Sequence, residues 1–525
     1  MLTRRRFASL ATASGTILAT RKARSEPKHG GTLTFVLEQE PTTLVAATTT
    51  DNVTKVSAKV TEGLLTYDFD LNPVPQLATA WTISEDGLRY TFSLRQGVKW
   101  HDGRDFTAAD VAFSIRLLQQ AHPRGRSTFA PVADIETPDP HTAVLVLSKP
   151  APYLLHALYA DESPIVPQHL YAGTTAQASP NASAPVGTGP FRFKRWERGS
   201  YIEFERNPDY WDKPKPYVDR VVFRIVNDAA ARTVLFETGE ADLGGEGAVQ
   251  LSELTRIKTL PHIGFETRGF AFYSGVRRLE FNLDNPYFAD LRVRQAVAHA
   301  MDRETLRQTV WYGYGDIVYG PVSPALQSFY TEDLPHYPHD TALANKLLDA
   351  SGHPRGSDGT RFKVALDYRP WTEGDKRTAD YLRQALARVG IDAAVRSQDF
   401  AAYVKRVYTD RAFDFAANSM TNAFDPTIGV QRLYWSKNFK PGVPFSNASH
   451  YINPALDQVL EAAAVEADPV KRRAYFVTLQ QTVARDLPDI NFLTDYHYTL
   501  FNRRLLDHTT QATGISSNLA DAHFA

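Results

Sequence analysis

Between Phe413 and Pro426 the chain reads FDFAANSMTNAFDP, a strand-like start that passes through small and uncharged polar residues to an Asp-Pro turn signal. Shortly after it stand Arg432, Tyr434 and Trp435. A guanidinium beside two aromatic rings has the chemistry to grip a carboxylate and stack a flat group. The same two rings serve equally well as core packing. Glu38 and Glu40 follow directly on the strand-like run TLTFVL, and ligands gather at strand ends in α/β sheets. A solvated loop accommodates these two carboxylates as readily.

Catalytic constellations are harder to assemble. The sequence has no Gly-x-Ser-x-Gly elbow, His-Glu-x-x-His helix, phosphate loop or dinucleotide fingerprint. His336 and His339 lie in EDLPHYPHD, where oxygen and imidazole ligands could gather a divalent metal, but the flanking prolines read as a surface loop. His101-Asp102-Gly103 reads as a turn rather than a catalytic pair. Cysteine is absent, which removes thiol nucleophiles, thiolate metal sites and disulfides together. No catalytic residue, metal ligand or cofactor is therefore expected.

The elements that must position these residues alternate between strand and helix. Arg89–Leu94 alternates strictly, with Tyr90, Phe92 and Leu94 on one face. Thr107 to Asp110 has the form of a capping box ahead of Val111, Ile115 and Leu118 at helical spacing. Residues 361–396 read as strand, helix and strand, with Gly390 supplying a left-handed helix end. Phe191–Phe193 and Tyr201–Arg206 read as strands, and Asp290 as a helix cap. AGTTAQASPNASA, residues 172–184, reads as a loop. This alternation argues an α/β architecture, and a chain of 525 residues holds more than one core.

The formal charge is −1 at neutral pH, and the first 25 residues contain six basic and no acidic residues. The remainder is mildly acidic, without the basic stripe that nucleic-acid binding needs. Residues 1–25 read as an export signal, with a short apolar run and small residues before Glu26. Thr3-Arg4-Arg5-Arg6-Phe7 gives it the twin-arginine form. The expectation is a periplasmic protein that is soluble and, having no cysteine, carries no lipid anchor.

Several stretches together resemble the family 5 solute-binding proteins of ABC importers, which take oligopeptides, dipeptides and nickel. They include LATAW (77–81), YTFSLRQGVKWHDG (90–103), FTAADV (106–111), GTGPF (187–191), RNPDYW (206–211), FNL (281–283), VRQAV (293–297), MDR (301–303), NPALD (453–457) and DLP (486–488). The resemblance implies a periplasmic-binding-protein-like fold of two hinged α/β lobes with an extra domain inserted in the first. It places lobe I in 30–70, 186–270 and 495–525, the inserted domain in 71–185, and lobe II in 271–494. It also implies a monomer that binds a small polar solute in the interlobe cleft and docks on a membrane permease with its ATPase subunits. Nickel or a metal chelate is the alternative cargo on the same fold, and a secreted hydrolase is the alternative from another class.

Peptide-binding members commonly carry Gly-Trp-x-x-Asp shortly before an acidic-Pro turn, the Asp holding the peptide's α-amino group. Here Met420 stands where the Trp is expected and Asn422 or Ala423 where the Asp is expected, with Asp425 in the turn position. An amide offers an ammonium no countercharge. The candidate ligand-binding residues are therefore Glu38, Met420, Asn422, Asp425, Arg432, Tyr434 and Trp435, with a peptide, an opine-like solute or a sugar conjugate as cargo.

Overall fold

The computed structural model describes residues 27–49, 52–171 and 173–525. The export signal expected in residues 1–25 lies outside the described residues. Three sheets organise the molecule. The first has seven strands, in the order Ile263–Glu266, Thr499–Asn502, Leu243–Gly244, Thr32–Leu37, Arg220–Ile225, Tyr201–Arg206 and Phe191–Glu197. Thr32–Leu37 lies parallel to both Arg220–Ile225 and Leu243–Gly244. Leu33, Phe35 and Leu37 enter one core with Ile202, Phe204 and Phe223, while Val36 enters a second core on the opposite face. Burial on both faces explains why this strand reads as an almost continuous apolar run. This body is lobe I.

A four-stranded antiparallel sheet forms the inserted domain, in the order Ala78–Ile83, Arg89–Leu94, Thr142–Leu147 and Val132–Asp139. The alternation in Arg89–Leu94 buries Tyr90, Phe92 and Leu94 against Val111, Ile115 and Leu118 of the helix Ala108–Ala121. That helix starts as its sequence demands, since Asp110 Oδ2 accepts the Thr107 backbone N–H at 3.0 Å. The GTGPF stretch is explained by crowding: a Cβ on Gly187 would stand 1.9 Å from the Val60 carbonyl oxygen, and one on Gly189 2.6 Å from it. Gly187→Ala must push two backbone segments apart, and we expect it to destabilise the protein by about 1–3 kcal/mol, as overpacking does. Scanning calorimetry checks this against wild type.

Lobe II is built on a five-stranded sheet, in the order Ile391–Arg396, Phe362–Tyr368, Phe415–Thr421, Gly275–Phe281 and Asp489–Thr494. The first three strands are parallel and the last two antiparallel to their neighbours. The strand–helix–strand expected over 361–396 is Phe362–Tyr368, Glu373–Arg388 and Ile391–Arg396, with Gly390 at φ +85° ending the helix. Two chain crossings join the lobes. One runs from Ile263–Glu266 to Gly275–Phe281, and the other from Asp489–Thr494 to Thr499–Asn502. Both leave lobe II at the end where its parallel strands finish, so strand ends of the two lobes face each other across the crossings. Among the described residues no helix is long and apolar enough to cross a membrane.

Candidate ligand-binding cleft

The lobe II wall of this cleft is the end of Phe415–Thr421, the strand that opens FDFAANSMTNAFDP. On one side it pairs along its whole length with Gly275–Phe281, but on the other only Phe415 to Ala417 pair with Leu366 to Tyr368. Asn422 donates its N–H to the Ser274 carbonyl at 3.1 Å. Antiparallel alternation then turns the backbone groups of Ser419 and Thr421 toward the uncovered edge. Arg369 covers part of it, its Nη1 donating to the Ser419 carbonyl at 3.3 Å. The remainder of this edge has no paired strand, with Ser419 buried and Thr421 partly exposed, and an unpaired strand edge suits an extended, amide-bearing solute.

Met420 points to the opposite face, and Arg432 Nη2 reaches its sulfur at 2.9 Å. The other bond of the Arg432 guanidinium runs from Nε to the Gly429 carbonyl at 3.3 Å, and no carboxylate among the described residues pairs with it. Burial pushes this guanidinium down to about 10, and the Arg124 cation of the inserted domain repels it further. Arg124 is itself engaged by Glu162, with Nε 2.9 Å from Oε2. The Glu162 carboxylate of the inserted domain thus acts electrostatically on both guanidiniums, Arg124 directly and Arg432 from across the boundary with lobe II. Arg432 remains partly exposed.

The other expected site residues are arranged differently. Asn422 is buried, donating from Nδ2 to the Pro321 carbonyl at 3.0 Å and accepting the Ser323 N–H on Oδ1 at 2.5 Å. Only an amide can do both, which accounts for Asn over Asp at this position. Asp425 is fully buried, caps Pro426–Gly429 through the Thr427 N–H, and forms a two-pronged pair with Arg472 at 2.5 and 2.7 Å. Tyr434 is also buried and donates to Asp489 at 2.7 Å, while Trp435 Nε1 donates to Glu461 at 3.0 Å. Asn422, Asp425, Tyr434 and Trp435 thus direct their polar atoms to protein partners, and of the expected residues Met420 and Arg432 are brought into contact with each other. Glu38 stands on the lobe I side, paired with Lys55 at 2.7 Å, and Glu40 accepts from Trp196 Nε1 at 2.8 Å.

Residues that sequence reasoning missed occupy the space between the lobes. Arg277, at the start of its lobe II strand, pairs with Asp375 at 2.8 Å and Asp495 at 2.9 Å and lies 3.6 Å over the Trp311 ring. Asp495 also accepts from the Ser419 hydroxyl. Glu246 and His497 meet at 2.7 Å. Trp371, well exposed, lies 5.5 Å from Phe400 with the two rings tilted by 39°. None of these has a local sequence signature, since each matters only through a partner far away in the chain.

Two α/β lobes, two crossings and a cleft at opposed strand ends define a hinged binding protein. The sequence model of the bacterial extracellular solute-binding proteins, family 5 (middle region), matches residues 72–441, and the chain belongs to that family. It is 25% identical over 484 residues to the oligopeptide-binding protein AppA of Bacillus subtilis, covering 89% of this chain and 87% of AppA. Among solved structures it resembles DppA of Helicobacter pylori in complex with the peptide STSA, with a TM-score of 0.80, 25% identity and coverage of 95% and 98%. It also resembles the binding protein AgaA of A. tumefacien R10 in complex with agropinic acid, with a TM-score of 0.79, 25% identity and coverage of 94% and 99%. The protein is an extracytoplasmic solute-binding component of ABC import.

Proposed function

We propose that the cleft captures a small polar solute that carries a carboxylate, peptide-like or opine-like, and delivers it to the membrane permease. The observation that carries this reading is Arg432, a largely buried guanidinium without a carboxylate partner among the described residues. A buried charge of this kind is costly unless something pairs with it. A solute carboxylate would supply the missing charge while its amides lie along the open edge at Ser419 and Thr421. The agropinic acid bound by AgaA and the peptide bound by DppA both fit a carboxylated cargo. Lobe closure would turn on the crossings at 267–274 and 495–498, a hinge motion in which the solute selects the closed form.

In the same reading the protein works as a monomer in the periplasm, reached by the twin-arginine route without a lipid anchor, and performs no catalysis. The units are those drawn from the sequence: 30–70, 186–270 and 495–525 for lobe I, 71–185 for the insert and 271–494 for lobe II. A metal chelate is the less favoured cargo: among the described residues no cluster of three His, Asp or Glu is placed to hold a metal.

Native mass spectrometry of freshly purified protein identifies any co-purified solute, and isothermal titration with tri-alanine and its C-terminal amide tests the anchor. The free carboxylate should bind more tightly. Arg432→Ala should weaken it by about tenfold to a hundredfold, as loss of a charged hydrogen bond predicts. Equal binding of acid and amide by wild type would overturn the reading.

A further inference from the structure

The second crossing between the lobes is short, Asp495-Tyr496-His497-Tyr498, and its side chains are held by different bodies. Asp495 is fixed to lobe II: it pairs with Arg277 at 2.9 Å, accepts from the Ser419 hydroxyl, and gives its N–H to the Gly275 carbonyl at 2.9 Å. Tyr496 stacks on Tyr314 of lobe II at 4.7 Å. Tyr498 is fixed to lobe I, stacking on Phe265 at 5.8 Å and donating to the Val249 carbonyl at 3.3 Å. The change from lobe II contacts to lobe I contacts therefore falls at His497.

The His497 imidazole joins this crossing to two other parts of the molecule. Nδ1 lies 2.7 Å from Oε2 of Glu246, in the lobe I loop after Leu243–Gly244. Nε2 lies 3.1 Å from the Tyr273 carbonyl and the ring stacks on Phe270 at 5.6 Å, both residues of the first crossing. Both ring nitrogens face acceptors, so both donate and the imidazole is cationic. A neutral imidazole has one N–H and keeps only one of these bonds. A carboxylate holds a donor more strongly than a carbonyl does, so Nε2 is the nitrogen that loses its proton. The Tyr273 carbonyl is then released, which separates the two crossings and leaves the bond to lobe I intact.

Charges on several sides bear on that proton. Burial disfavours the cation, Glu246 and Asp495 favour it, and Arg277 opposes it while being held by Asp375 and Asp495; the balance lifts His497 above its ordinary 6.5. Lys55, on the lobe I helix Thr54–Ser57, acts on Glu246 and is paired with Glu38. Burial raises the Tyr273 phenol, which stays protonated. A base raised in the folded state contributes stability that is complete below its unfolded value and is lost as pH rises through the folded one. The double bond of His497 is therefore complete in mild acid and is lost in mild base.

We propose that His497 is a proton-operated latch of the hinge, coupling the two crossings while it is cationic and uncoupling them when it is neutral. Coupled crossings turn together and restrict the lobes to a narrow range of separations. Uncoupled crossings bend independently, and the range widens. The inference rests on the reading of 267–274 and 495–498 as the hinge, and is independent of the cargo.

Because the chain has no cysteine, spin labels go on Val234→Cys of lobe I and Lys346→Cys of lobe II, both at exposed helix positions. Pulsed electron paramagnetic resonance reads the interlobe distance without solute at about pH 6 and about pH 8.5, on either side of the histidine range. The labelled parent chain should give a narrow distribution in acid and a broader one in base. His497→Gln, which cannot change charge, should give the same distribution at both. Proton NMR should show the His497 resonance, identified by its absence from that variant, titrating above 6.5. Glu246→Gln should lower that titration and carry the broadening to lower pH with it, and this variant bears the test alone if His497→Gln does not fold. A parent chain without pH response, an equal response in His497→Gln, or broadening that stays in place when Glu246→Gln lowers the titration overturns the latch. Labels that saturating tri-alanine draws together at both pH values, with no response to pH itself, overturn the latch and keep the hinge reading. Labels that move with neither remove the hinge reading and the latch together.

Discussion

Asp425→Ala is expected to lower the stability of lobe II by about 3–5 kcal/mol, the range for breaking a buried ion pair from one side. Truncation leaves Arg472 without countercharge: its Nη1 and Nη2 lose Asp425, its Nε keeps the Ala463 carbonyl at 2.9 Å, and its faces remain near Phe329 and Phe476. It also removes the cap of Pro426–Gly429 and the contact at 3.3 Å with His156 of the inserted domain. The measurement is urea unfolding followed by hydrogen exchange in the strand Phe415–Thr421, which separates lobe II from the rest of a multidomain chain. Acid adds a signature. The Arg472 and His156 partners hold the Asp425 carboxyl well below its ordinary 3.8, against the opposing effect of burial. A depressed acid contributes stability that is fully present above its unfolded value and is lost as pH falls below it. Wild type should therefore lose stability below about pH 4 more steeply than Asp425→Asn; equal slopes would contradict this assignment.

Arg278→Leu is expected to be as damaging, with the opposite pH dependence. Arg278 is almost fully buried and lies between two equally buried carboxylates, Glu280 at 2.7 Å and Asp489 at 2.6 Å, with Asn418 accepting from its Nε at 3.0 Å. Removing it leaves two acids facing each other in a dry interior, at a cost of about 3–5 kcal/mol at neutral pH. Burial already raises Asp489 above its ordinary value with the arginine present, and loss of the cation must raise it further. A carboxyl raised in the folded state takes up protons that the unfolded chain does not, so its penalty grows as pH rises through that interval. The variant should recover toward wild type between pH 8 and pH 5, read from urea midpoints. Replacing Arg278, Glu280 and Asp489 together by leucine should restore much of the loss, because no buried charge then remains. A single substitution with no pH dependence would contradict the network.

How far the sequence could be read depended on whether a feature was local. The strand Thr32–Leu37, the alternation of Arg89–Leu94, the Thr107–Asp110 helix start and the Gly390 helix end all follow from neighbours within one turn or one strand, and the structure forms each of them. The α/β class was also a matter of local pattern. The family motifs were legible as residue strings, although the crowding that requires Gly187 and Gly189 comes from the Val60 backbone, far away in the chain.

The cleft was legible only in part. Arg432 and Met420 could be named, but nothing local distinguishes a guanidinium with a carboxylate partner from one without, and Arg472, 47 residues from Asp425, pairs where Arg432 does not. Asn422 reads in sequence as a lost countercharge, and the structure shows an amide bridging Pro321 and Ser323. Glu246 and His497 lie far apart in the chain and carry no motif; they meet because one lobe I strand ends beside the second crossing. The sequence by itself determined the family, the elements and the absence of cysteine chemistry, because short-range sterics and composition decide those. Which charges are paired, and which face the cleft, was decided by the tertiary structure, because a charge is neutralised by what lies within a few ångströms of it and chain distance does not record that.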